Sequence, residues 1–249
     1  MKEYTVFQNA PIREALLDIR VELPGDVDLK KLETFHSFVK ERFPERQERR
    51  FIKAELKLSP EMASAQLPTS SGTDGYFFRS QSEKKIVQAR LDGFTFNKLK
   101  PYESWDALRS EASELWNFYL QVANPLRITR IALRYINRID IPLPLIDFKE
   151  YILTTPEIAP ILPQALSNFF MRLVIPNPEI QATAIIIETM ENPVDDQRLP
   201  LILDIDVWRG TIYNKDNQTE MWDDFEKLRR FKNDIFFNSI TEKTKELFK

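Results

Sequence analysis

Residues 15 to 23 alternate strictly. Ala15, Leu17, Ile19, Val21 and Leu23 fall on one side, and Leu16, Asp18, Arg20 and Glu22 on the other. This period of two predicts a strand with one apolar face, stopped by Pro24-Gly25. From Asp28, a helix-capping residue type, the spacing of Leu32, Phe35, Phe38 and Val39 predicts one helix to about Phe43. The charged run Glu45 to Arg50 reads as a solvated turn, and Phe51 to Leu58 as a strand with Ile52, Ala54, Leu56 and Leu58 on one side. Ser59 to Asp74, rich in Ser, Thr and Pro, reads as a polar loop. Tyr76–Arg79, Lys85–Leu91 and Phe94–Leu99 then form a three-strand meander, with Asp92-Gly93 as a two-residue hairpin turn. Ser104 caps a long helix to about Val122 that turns Trp105, Leu108, Ala112, Leu115, Trp116 and Tyr119 inward.

After Pro125 the order begins again. A long strand is expected from Arg127 to Ile141, and a Pro-punctuated helical region from Asp147 to about Asn168. Strands follow at Phe170–Ile175, Gln181–Thr189 and Leu201–Trp208, with a turn at Gly210 and a short strand at Thr211–Tyr213. A final helix from about Thr219 to Phe248 presents Trp222, Phe225, Leu228, Ile235 and Phe236 as its stripe, and its Phe231–Phe237 end is either core or dimer surface.

A shift of 117 residues lays Gly93, Asn97, Lys98, Glu103, Trp105 and Asp106 on Gly210, Asn214, Lys215, Glu220, Trp222 and Asp223 without a gap. It also carries Ala15-Leu16 onto Ala132-Leu133, Ile19 onto Ile136 and Leu56 onto Leu173. The chain therefore reads as α+β, with two tandem β-α-β4-α units at 1–125 and 126–249 packed as one pseudo-symmetric body. Joined at their first strands, the units would form a continuous curved antiparallel sheet with helices on one face. In topology this resembles the duplicated saddle of the TATA-binding-protein fold and the helix-grip folds. On this shift Leu17 and Val21 correspond to Arg134 and Arg138, so either the two units differ on that face or their facing is not simple.

Composition narrows the function classes. An apolar fraction of 43% with 18 Phe in 249 residues supports a packed core, and 5 Gly leave little for Gly-rich phosphate loops. The net charge of −3 supplies no global attraction to nucleic acid or anionic membrane. With no Cys there is neither a disulfide, a thiolate nucleophile nor a Cys-held zinc. No apolar segment has signal-peptide or membrane-spanning character, so a soluble, cytoplasmic protein is expected.

Arg130, Arg134 and Arg138 share one strand face at roughly 13 Å spacing, and Arg90 lies on a nearby strand. Guanidinium groups in line can hold phosphates or carboxylates of a nucleotide or single-stranded nucleic acid. The competing reading is a partly solvated face with Asp140, Asp18 or Glu188 as ion-pair partners. Asp204 and Asp206 point the same way from one strand, the pattern of a magnesium chelate in phosphoryl transfer and also of any strand with one wet face. His36 is the only histidine and has no triad around it; Asp195-Asp196 reads as a solvated loop pair. Tyr76, Phe77, Phe78, Phe94 and Phe96 can stack bases or fill the core. No cofactor is implied and no catalytic residue emerges, so the residues favour a non-enzymatic binding protein with a protein partner, homo-oligomerisation remaining open.

Three blocks, Pro11-Ile12-Arg13-Glu14-Ala15-Leu16-Leu17-Asp18-Ile19-Arg20, Leu91 to Tyr102 and Leu133 to Asp140, resemble an uncharacterised, sporadically distributed prokaryotic protein family of about this length. The resemblance covers nearly the whole chain and implies no activity. Its patchy distribution implies a partner component of a defence or toxin–antitoxin-type cassette.

Overall fold

The computed structural model describes residues 4–54, 69–81, 84–164, 166–192 and 196–249. The chain is α+β. Nine strands form one antiparallel sheet: β1 Ile12–Glu22, β2 Glu45–Ala54, β3 Thr69–Arg79, β4 Lys85–Arg90, β5 Gly93–Leu99, β6 Arg127–Pro142, β7 Phe170–Asn177, β8 Ala182–Met190 and β9 Arg198–Tyr213. Their order is β2-β3-β4-β5-β1-β6-β9-β8-β7, with β1 and β6 paired in the middle. The helices are α1 Leu29–Glu33, α2 His36–Val39, α3 Trp105–Ala123, α4 Thr219–Ser239 and α5 Glu242–Glu246.

Directly opposed residues of antiparallel strands share a face, so the register sorts every side chain. Leu17 faces Phe96 and Leu133, Ile19 faces Phe94 and Ile131, and Leu133 faces Val207. This apolar face lies under the helices. Phe94 packs 5.8 Å from Trp116 and 6.0 Å from Tyr119 of α3, while Tyr213 donates to Asp224 of α4 at 2.8 Å. All six α3 positions expected inward are buried, and Ser104 caps the helix by accepting from the Ala107 amide. Burial of such side chains contributes about 1.5–3 kcal/mol each. No helix among the described residues is long and apolar enough to cross a membrane.

Several local expectations need correction. Glu45 to Arg50 is not a turn but part of edge strand β2; an edge tolerates charge on both faces, so the alternation is absent. The described end of the supposed 59–74 loop belongs to β3, whereas residues 55–68 lie outside the described residues, as does the sidedness of Ile52 and Ala54. The helix capped by Asp28 breaks after Glu33. Thr34 and Ser37 hydroxyls donate to carbonyls three residues back, and the chain tightens to three-residue spacing. Phe38 is thereby turned outward, where it stacks on Phe118 at 5.4 Å.

The hairpin loop is Leu91-Asp92, one residue earlier than expected, because Gly93 already pairs with Arg90. Asp147 caps only the 3-10 turn Phe148–Glu150. Pro156, Pro160 and Pro163 deny the following segment helical amides, and residue 165 lies outside the described residues. Gly210 makes no turn: β9 continues through it to Tyr213, with one extra residue bulged between Gly210 and Tyr213 opposite Ile128 to Arg130. The second half thus has three strands after β6 rather than four, and no α-helix precedes them among the described residues. The last helix stops at Ile240, which turns extended to bridge Ile152 before Thr241 caps α5. Its aromatic end is core: Phe236 is buried, and Phe237 stacks on Tyr4 and Phe7 of the N-terminal segment. The ungapped shift also fails on the central strands. Leu17 and Val21 face the helices, while Arg134 sits opposite Leu16 on the other side.

Candidate functional site

The sheet face away from the helices is polar at its centre, and the register builds it in rows. Arg90 of β4 faces Gly93, Gly93 faces Arg20, Arg20 faces Arg130, and Arg130 faces Gly210. Beside that row run Gln88, Thr95, Asp18, Ala132, Trp208 and Thr183, opposed in turn. Further along, Leu16 faces Arg134, Arg134 faces Asp206, and Asp206 faces Ile185. Alternation within the strands puts these groups on one face, and the register between strands brings them together.

Asp18 is the hub. Its carboxylate accepts from Arg90 at 2.7 Å, Arg20 at 3.1 Å, Arg130 at 3.1 Å and the Thr95 hydroxyl at 2.6 Å. Burial disfavours its ionisation, but Arg90, Arg20 and the Thr95 and Arg90 hydrogen bonds outweigh that and hold it below the usual carboxylate range. Arg90 is only 3% exposed; it also reaches Thr95 at 2.6 Å and Asp92 at 2.9 Å. Arg130 lies with its guanidinium 5.3 Å from the centre of the Trp208 ring.

Arg134 grips Asp204 with two nitrogens, at 2.9 and 2.6 Å, the bidentate geometry of a strong charge-assisted pair. Arg138 donates to Asp140 at 2.9 Å and lies 3.4 Å from Glu191. Asp204 and Asp206 do share this face, yet only Asp204 is partnered. Asp206 makes no hydrogen bond or ion pair among the described residues. Burial raises its carboxyl above the ordinary range despite Arg130 and Arg134 nearby. Among the described residues no group of three or more His, Cys, Asp or Glu side chains is gathered that could hold a metal ion. His36 contacts the Phe43 carbonyl at 3.1 Å and stacks on Phe78; Tyr76, Phe78, Phe94 and Phe96 are buried under the helices. Asp195 lies outside the described residues.

The four arginines singled out by sequence therefore lie on one face, with Asp18 and Asp140 as partners, as the competing reading had it. Glu188 is not among those partners. It faces Leu203 and Met171 under the helices, 1% exposed, with one carboxylate oxygen buried and unsatisfied, and burial pushes its pKa up to about 7. Sequence reasoning missed Arg20, Thr95 and Asp92; the i, i+2 spacing of Asp18 and Arg20 was the available signal. It also missed Lys232 of α4. That amine is buried 3.9 Å from the centre of the Tyr135 ring, whose hydroxyl meets Tyr102 at 3.0 Å, and burial with nearby Arg229 pushes its pKa down to about 7. On the helix side, α3 and the start of α4 enclose a polar cleft of about 440 Å³ lined by Arg109, Asn117, Gln218 and Trp222. No family model matches the chain, and no curated protein matches it either.

Proposed function

We propose that the chain is a non-enzymatic binding protein whose polar sheet face meets a protein partner. One observation carries this reading: every arginine of the stripe is already engaged by a carboxylate of the same chain. A polyanion would have to displace those carboxylates, whereas a protein surface of mixed charge can interleave with them. Rows fixed by nine paired strands also give a rigid surface, which lowers the ordering cost of association. An anionic ligand held through Arg90, Arg130, Arg134 and Arg138 is the second reading, favoured by Arg134, whose side chain keeps 43% of its surface exposed.

We also infer an origin by duplication, on the plan of a TATA-binding-protein-like saddle. The support is the block of identities between Gly93–Asp106 and Gly210–Asp223, and a sheet order in which each half's last strand, β5 or β9, flanks its first. The resemblance to a sporadically distributed prokaryotic family adds a role in a defence or toxin–antitoxin-type cassette to this proposal.

The test is affinity capture from the native host, with small molecules and nucleic acid analysed in the same eluate. A stoichiometric protein lost on Asp206→Lys, with folding unchanged, is the expected result. A co-eluting nucleotide or nucleic acid lost on Arg134→Ala would favour the second reading. Metal-dependent turnover abolished by Asp204→Asn and Asp206→Asn would overturn both.

A further inference from the structure

The two edges of the sheet are built differently. Strand β2 carries Glu45, Arg46, Glu48, Arg49 and Arg50, the charge that guards an edge against pairing. At the other edge, β7 reads Phe-Met-Arg-Leu-Val-Ile-Pro-Asn and, among the described residues, pairs only with β8. Phe170 is 68% exposed, Val174 52% and Ile175 41%, so apolar surface stands open on both sides of that edge. Ile161 and Leu162, in the segment leading into β7, are exposed as well. The guards on β7 are only Arg172 and Pro176; the rest of the edge presents backbone N–H and C=O groups flanked by apolar side chains.

We propose that β7 is the seam of a homodimer, in which two copies pair antiparallel across a two-fold axis normal to the sheet at Leu173. The argument is self-complementarity. An axis normal to the sheet keeps each residue's face, so β7 residues can oppose only residues of the same parity. The axis must then pass through a residue. At Arg172 it would set two guanidinium groups against each other. At Leu173 it sets Arg172 opposite Val174, Phe170 opposite Pro176 and Met171 opposite Ile175, with Leu173 meeting its own copy. Every contact is then apolar, or an arginine stem over an apolar side chain.

Size agrees. The strand is about 26 Å long at its usual rise, and side chains on both faces make the strip roughly 12 Å deep. Over both copies, with the relief of the protruding side chains, this amounts to roughly 600–800 Å², the size of a weak association that forms at high protein concentration. The pairing would leave both sets of helices on one side and both polar faces on the other. It does not depend on what the polar face binds.

Sedimentation and cysteine cross-linking test it, and the chain's lack of cysteine makes the second clean. The wild type is expected to sediment as a dimer at ~100 µM, well above the threshold of micromolar association. Val174→Lys, at an exposed position, is expected to be monomeric with an unchanged circular dichroism spectrum. Leu173→Cys should cross-link in high yield on mild oxidation, since opposed Cα atoms about 5 Å apart are within disulfide reach. Ile175→Cys should not, because its two copies lie about 13 Å apart along the strands. A wild type monomeric at that concentration overturns the proposal, leaving the edge to an extended segment of another protein. A dimer that survives Val174→Lys, or a Leu173→Cys protein that dimerises without cross-linking, overturns it equally.

Discussion

Glu188 and Lys232 are both buried on the helix side, make no ion pair among the described residues, and have pKa values displaced towards each other. For Glu188, burial raises the folded value from 4.5 to about 7. The folded state therefore prefers the protonated acid: the associated stability is complete below about pH 4.5 and is lost as pH rises through 7. Lys232 falls from 10.5 to about 7, so its stability is complete above about pH 10.5 and is lost as pH falls through 7. Glu188→Gln should thus add about 3 kcal/mol at pH 8 and nothing at pH 4. Lys232→Met should add about 4 kcal/mol at pH 6 and little at pH 10, the ring contact with Tyr135 being partly kept by the thioether. Urea unfolding across that pH range reads both; a gain that ignores pH would show the two groups to be ordinary packing defects rather than misplaced charges.

Gly93 and Gly210 lie 117 residues apart in the same sequence setting, yet their elements ask different things of them. A methyl group on Gly93 would stand 2.2 Å from the Ile19 carbonyl oxygen and 3.0 Å from the Arg20 Cα, at a φ of +152° suited to glycine. One on Gly210 would meet the Trp208 ring at 3.6 Å and nothing closer. Gly93→Ala is expected to cost about 3 kcal/mol or prevent folding, whereas Gly210→Ala should be neutral or stabilising by up to ~1 kcal/mol; comparable losses at the two sites would refute the difference. The same contrast explains what was legible in the sequence. Strands β1, β6 and β8 and helix α3 have a buried side and a more open side, and periodicity reports that directly. Strand β2 has no buried-against-wet alternation because it is an edge, and Gly210 resembles a turn although its strand runs on. In the candidate site, the shared face of Arg130, Arg134 and Arg138 follows from spacing alone. Their pairing does not: Arg134 finds Asp204 seventy residues away through the β6–β9 register. Glu188 was given to the arginines although its parity on β8 sends it to the helices.

Across the whole molecule, these pairs decide which field the polar face presents. Arg20, Arg90 and Arg130 converge on Asp18 at the β1–β6 midline, so strands β4, β5, β1 and β6 are fastened by one carboxylate. Asp204 silences Arg134, Asp140 engages Arg138, and Asp206 and Glu14 remain as further negative charge beside Arg134. Added to a chain of net charge −3, this face has no surplus of positive charge with which to collect phosphates. The wild type is therefore expected to show no measurable binding to single-stranded DNA or RNA at 50 mM salt or above, a range in which phosphate-driven binders are strong. Replacing Asp204 and Asp206 together by Asn frees Arg134 without touching the Asp18 hub. That variant should acquire weak binding whose log–log salt slope is about −1, because each phosphate on a single strand contributes about −0.7. Fluorescence anisotropy against salt concentration measures both. Wild-type binding with a slope of several units would mean that phosphates displace the internal carboxylates, and the face would then be an anion site that uses Asp18 and Asp204 as placeholders. A silent wild type beside a responsive variant would mean the reverse: carboxylates built in to keep polyanions off a surface meant for protein.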